Sequence, residues 1–297
     1  MKHVLCRATV AAVVALAATA APAVPAAAEP PPEIGAGDDW EIAVFLCTPS
    51  AYDCHKRYAT AEQRRDVERF LKGTPEVTQV RHVSRASAYA SFRKEFAGRK
   101  AVLAGVRARD LPESFRVRVS GVADRGRIRA LANRRPGVGV AVDQAESHAG
   151  ATAISERWDM SLYLCMKDSA LPACLHGRGK ANKKAVTAEE KKAIAAAIEG
   201  IPEVESYEYE DQATAYRNFV EANPDKQELI SVTKVSDMPE SFQLTLRPQA
   251  DWAAPRRRLA SMPGVSIMSD KKCNLLTLRL WSEYGLPGPR SGTEGCP

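Results

Sequence analysis

The phrase DLPESF at residues 110–115 returns as DMPESF at 237–242, and this repetition constrains the fold more than any other feature of the chain. A shift of 127 residues aligns 73–140 with 200–267 without a gap, and 19 of those 68 positions are identical. GTPEV meets GIPEV, ASAYASF meets ATAYRNF, and RPGV meets MPGV. Upstream the agreement continues at a shift of 118, where WEIAVFLC (40–47) meets WDMSLYLC (158–165). The second copy therefore carries nine extra residues between its cysteine and its first helix. A tandem duplication of this size calls for two similar domains, each long enough to bury a core of its own.

Both copies spell the same order of elements. IAVFLC and MSLYLC are short apolar strands. Thr60-Ala-Glu-Gln63 and Thr187-Ala-Glu-Glu190 fit a capping box, in which the Thr hydroxyl and the third-position side chain satisfy free helix amides reciprocally. Val67, Phe70 and Leu71, or Ile194, Ile198 and Ile201, supply the apolar stripe of the helix so opened. Gly73 and Gly200 stop it, each with Pro two positions on. EVTQVRHV and EVESYEYE read as second strands, and Ser84 and Asp211 as N-caps of a second helix. SFRVRV and SFQLTL alternate with the period of a half-buried strand. A last helix (127–134, or 255–262 with Pro255 at its first position) leads to PGVGVAV or PGVSIM. The expected class is α+β: two tandem split β-α-β (ferredoxin-like) domains, each with an enlarged helical lobe before its third strand. The expected boundaries are 39–142 and 157–273, with 143–156 as a linker and 274–297 as a C-terminal tail whose Gly- and Pro-rich end is irregular.

The ends of the chain point to export. Lys2, His3 and Arg7 precede an Ala/Val-rich run that closes on Ala26-Ala27-Ala28, the pattern of a signal peptide over 1–28 cleaved near Ala28; residues 29–38 form a Pro-rich linker. Pro22 and Pro25 break the run, so it makes a poor membrane anchor, and no other stretch approaches the roughly 20 apolar residues of a spanning helix. NLLTLRLW (274–281) is too short and carries Arg279. The mature chain is thus expected outside the cell, secreted or held at the surface. Cleavage takes the net charge from +6 to +4, too weak a balance to argue for nucleic acid. Cys47, Cys54, Cys165, Cys174, Cys273 and Cys296 remain. Cys47 aligns with Cys165, and each has one close successor, so 47–54 and 165–174 are the economical disulfides, with 273–296 left by elimination. Metal binding is the competing reading, but no C-x-x-C and no clustered His accompanies these cysteines.

A strand ending in Leu, a helix, P-x-V before a strand, A-x-x-x-F on a helix, LP-x-SF-x-V and finally PGV form an ordered series. LPESFRV (111–117), MPESFQL (238–244), GTPEV/GIPEV and the two PGV turns carry it. This series resembles the extracellular domain of FtsX, the permease-like bacterial cell-division protein, over about 39–142 and 157–268. The resemblance implies a non-catalytic accessory domain outside the membrane that contacts a peptidoglycan hydrolase or its activator. It also implies a separate helical lobe with exposed apolar residues, which here falls at 84–110 and 211–237.

Tyr89, Phe92 and Phe96, with Tyr216 and Phe219, are therefore the candidate residues for a protein partner at the cell surface. Aromatics at this spacing also suit a core, and Phe92 and Phe219, shared by both copies, fit that reading better. Phe96, replaced by Asn223 in the second copy, is the better surface candidate. An alternative is an anionic lipid or wall polymer held by Arg125, Arg127, Arg129, Arg134 and Arg135 and by Arg256-Arg257-Arg258. Catalysis finds little support. His55, His82, His148 and His176 are scattered, and GRGK (177–180) has Ala181 where a phosphate loop needs Ser or Thr. No cofactor is expected.

Overall fold

The computed structural model describes residues 41–288 and Cys296, apart from 52–53, 122, 156–157, 176–184, 225 and 249. The signal-peptide segment, the Pro-rich linker, His176 and GRGK lie outside the described residues. The first copy runs β1 (Ile42–Leu46), α1 (Ala61–Lys72), β2 (Val77–Val83), α2 (Arg85–Glu95), α3 (Lys100–Gly105), β3 (Ser114–Val119), α4 (Arg125–Asn133) and β4 (Val138–Asp143). After α5 (Gln144–Ser155), the second runs β5 (Met160–Leu164), the single turn α6 (Pro172–Leu175), α7 (Ala188–Glu199), β6 (Val204–Glu210), α8 (Gln212–Glu221) and α9 (Gln227–Val232). It continues through β7 (Ser241–Leu246), α10 (Ala253–Leu259) and β8 (Val265–Asp270), and α11 (Lys271–Tyr284) follows.

Each copy forms a four-stranded antiparallel sheet, in the orders β2-β3-β1-β4 and β6-β7-β5-β8. With a helix in each crossover this is the ferredoxin-like arrangement, twice. Even the irregularities repeat, because the register slips at Phe45/Leu46 and again at Tyr163/Leu164. Helices α1 and α4 cover one face of the first sheet around Leu71, Phe115 and Ile128. Helices α7 and α10 cover the second around Ile194, Phe242 and Leu259. Burying these side chains is the main force holding each copy together.

The caps form as the sequence requires. Both capping boxes close, at Thr60 with Gln63 and at Thr187 with Glu190, and Ser84 and Asp211 cap the next helices. The two PGV turns explain their glycines. Gly137 (φ 87°) and Gly264 (φ 91°) occupy left-handed backbone, and a Cβ there would stand 2.7 Å from Gln63 or 2.9 Å from Val186. The closing turn is thereby pressed onto the start of α1 or α7.

The interval expected as a linker is helical over 144–155, the 12-residue α5, which packs against α11. The tail from 274 continues α11 to Tyr284 before the chain turns. Pro255 is the third residue of α10 rather than the first, still within the turn whose amides have no intrahelical acceptor. The described half-cystines join as 47–54, 165–174 and 273–296.

Candidate functional site

The Asp, Glu, Ser and Phe of the repeated phrase each have a structural task. Asp110 and Asp237 accept from the backbone amides of Arg107 (2.8 Å) and Lys234 (2.9 Å), closing the short turn that ends each lobe. The backbone carbonyls of Glu113 and Glu240 receive the Leu46 and Leu164 amides, both at 2.8 Å. Their carboxylates reach back to the first helix. Glu113 accepts from Arg64 and pairs with His82, both at 3.0 Å, while Glu240 accepts from Lys191 at 3.2 Å beside the Tyr209 hydroxyl. Ser114 and Ser241 are buried, and Phe115 and Phe242 enter the two cores. The phrase is thus an anchor joining lobe, sheet and helix.

Electrostatics differ between the two anchors. Burial alone would raise the Glu113 carboxyl, but hydrogen bonds from Arg64 and His82 outweigh it and hold Glu113 below its ordinary value. At Lys191 burial pulls downward, and the bonds to Tyr209 and Glu240 prevail, so the ammonium is held above its ordinary value.

The arginine-rich helices are likewise committed within the chain. Arg125 grips Asp143 with two bonds of 2.7 and 2.8 Å, and Arg256 reaches buried Asp270 at 2.5 Å. Both aspartates also hold the next helix start, through the amides of Ala145 (2.9 Å) and Cys273 (2.6 Å). Arg127 pairs with Glu76, Arg129 with Glu146 and Arg257 with Asp251, and Arg135 lies over the Phe70 ring. Among the described residues no group of three His, Cys, Asp or Glu could hold a metal ion.

The lobes are where the copies part. In the first, Phe92 is 0% and Phe96 2% exposed, so the expectation of a surface Phe96 is corrected. The physical reason is α11, which returns from the second copy and lays Leu276, Leu280 and Tyr284 on that lobe. The Phe92, Phe96 and Tyr284 rings form a cluster with centroids 4.9 to 6.0 Å apart. Glu95 accepts from Arg279 and, at 2.5 Å, from the Tyr284 hydroxyl. Burial, reinforced by that carboxylate, drives the Tyr284 phenol well above its usual range. On the sheet beneath, Arg116 donates to the Glu283 carbonyl at 2.5 Å, and Gln144 of α5 donates to the Glu283 carboxylate at 2.9 Å. Burial raises the Glu283 carboxyl against the pull of Arg116 and Arg279. The chain leaves α11 through Gly285 (φ 63°), where a Cβ would stand 2.6 Å from the Phe45 ring. Both faces of β1 are consequently buried, and Tyr89 lies at the margin of the cluster.

Among the described residues, nothing covers the second lobe in this way. Helices α8 and α9 contain no buried residue, and Leu229 (45%), Val232 (71%) and Val235 (43%) stand exposed. Tyr216 and Phe219 are half-buried, with ring centroids 6.4 Å apart. Between this lobe and the outer face of the second sheet runs a groove of about 900 Å³, lined by Trp158, Tyr163, Phe219, Asn223, Met238 and Gln243 among others. The five sequence-derived residues thus split: Phe92 and Phe96 lie inside, Tyr89 beside them, while Tyr216 and Phe219 border open space. Leu229, Val232 and Val235 escaped the sequence reading, as did the stripe Leu276, Leu280, Tyr284. The stripe's i, i+4, i+8 spacing behind the N-cap Asp270 was a sufficient helix signal.

No helix among the described residues is long and apolar enough to cross a membrane. Comparison with curated proteins finds no match. Comparison with protein families matches the FtsX extracellular domain twice, over residues 39–152 and 159–273. That family and the disulfides fit an extracellular location. The two matches take in most of the chain and coincide with its two sheets and lobes, so the chain belongs to the FtsX extracellular domain family, of which it carries two copies in tandem.

Proposed function

We propose that the chain is an exported, non-catalytic binding protein, delivered by cleavage of its signal peptide near Ala28. It engages a protein partner of the cell wall or division machinery, such as a peptidoglycan hydrolase, at the cell surface. The observation that carries this reading is the second lobe, where Leu229, Val232 and Val235 stand exposed and neither of its helices holds a buried residue. Apolar side chains grouped on one face mark interaction sites in exported proteins as in others. The alternative, an anionic lipid or wall polymer bound through the arginine-rich helices, is less favoured because most of those guanidinium groups already have partners in the chain.

A cross-linking pull-down from a cell-surface extract tests the reading, using protein from residue 29 with disulfides intact and a Leu229→Glu/Val232→Glu variant beside it. Enrichment of a hydrolase or division protein that the variant loses supports a partner on the second lobe. Retention of lipid or wall polymer alone, unchanged in the variant and abolished by salt, replaces it with the alternative.

A further inference from the structure

The site of α11 on the first copy and the groove of the second copy are the same place. Phe92 and Leu111 under α11 correspond to Phe219 and Met238 in the groove, Phe45 to Tyr163, and Arg116 to Gln243. We propose that α11 is a built-in ligand: it fills in the first copy the receptor groove that no described residue fills in the second. This holds whatever the partner of the second copy is.

Three observations support it. The second family match ends at residue 273, and α11, which follows β8 as α5 follows β4, packs on the lobe of the first copy rather than on that of its own. The contact also has a ligand's chemistry, with an apolar stripe flanked by specific polar bonds. Arg279 and Tyr284 meet Glu95, and Glu283 meets Arg116. Finally, those partners are absent where the groove is open. Glu95, Phe96 and Arg116 become Ala222, Asn223 and Gln243, and Gln243 is already engaged with Glu210 and Ser241. A second α11 would meet no counterpart of Glu95 or Arg116 at those positions. The two grooves therefore select different helices, and the first has its own.

The test uses a fluorescent peptide of residues 271–288 carrying Cys273→Ser, and the full-length chain with Leu276→Asp/Leu280→Asp, which empties the first groove. The peptide should bind this variant one to one, and the unmodified chain at least about tenfold more weakly. Adding Glu95→Ala should cost the variant about tenfold in affinity, whereas adding Phe219→Ala should change nothing. Equal binding to the unmodified chain, or sensitivity to Phe219→Ala, overturns the proposal, because the second groove would then take α11. Absence of binding to a folded variant also overturns it. If the double substitution prevents folding, hydrogen exchange on the unmodified chain decides. Amides of α11 and α2 opening together ahead of β1 support a docked ligand, whereas α11 opening only with β1 and β3 makes it a permanent part of the core.

Discussion

The first and second copies share a scaffold almost residue for residue in its turns, caps and anchors, yet differ in what lies on the outer face of the sheet. In the first, β1 is buried along its whole length, with Ala43 and Phe45 on the outer side; in the second, Ser161 and Tyr163 leave that side of β5 half-open. Glu95, Phe96 and Arg116 are answered by Ala222, Asn223 and Gln243. A duplicated fold can thus keep its core and diverge at a few surface positions, turning one copy inward and leaving the other available. A lobe holding Phe92 and Phe96 without cover would expose a large apolar patch, and α11 removes it.

The sharpest test of this difference is a matched truncation. Phe92→Ala should destabilise the chain by about 3–5 kcal/mol in denaturant unfolding, since it opens a cavity among Phe96, Tyr284 and Leu276. Phe219→Ala, in a lobe with no buried helix residue, should cost no more than about 1 kcal/mol. Equal losses would mean that the second lobe is as closed as the first.

Next in size is the polar grip on α11. Glu95→Ala leaves the Arg279 guanidinium and the Tyr284 hydroxyl without their acceptor, at a cost of about 2 kcal/mol. The matched change Ala222→Glu should stay within about 0.5 kcal/mol, and the same unfolding curves compare them. Gly285→Ala should follow, at about 1–2 kcal/mol, because its left-handed backbone disfavours a Cβ and the Phe45 ring must yield. Faster hydrogen exchange confined to α11 and α2 would be its signature.

The smallest effect is a contrast in pH dependence. Glu113 is held below its ordinary value, so its contribution is present above the unfolded value of 4.5 and is lost as pH falls through the lower folded value. Lys191 is held above its ordinary value, so its contribution is present below 10.5 and is lost as pH rises through the higher folded value. A melting-temperature profile should show Glu113→Gln flattening the acid limb and Lys191→Gln the alkaline limb. Exchange of these two effects would show that the anchors of the copies are not tuned as their partners imply.

Local chemistry was legible at almost every position where the sequence repeats itself. Thr60 and Thr187, Gly73 and Gly200, Ser84 and Asp211 act on neighbours within four residues, so their roles follow from spacing alone. Even the contrast between IAVFL and MSLYL was written out as a continuous apolar run beside an alternating one, the marks of two covered faces and of one. What covers the second face of β1 was not, because Leu276 and Phe92 are nearly two hundred residues apart and nothing local pairs them. Phe96 shows the consequence, since absence from the second copy suggested a free surface residue when it marks the copy that has acquired a cover.

By itself the sequence determined that two like domains exist, where their side-chain-capped helices at Thr60, Ser84, Thr187 and Asp211 start, which cysteines join and several residues of the two cores. These follow from short-range hydrogen bonding and from burial patterns that each copy states independently. Only the tertiary structure decided that most of these arginines have partners within the chain, that α11 crosses to the first lobe and that no described residue fills the second groove. Those outcomes depend on long-range contacts whose free energy exists only once the sheets have formed, and a residue pattern read along the chain carries no distance between its ends.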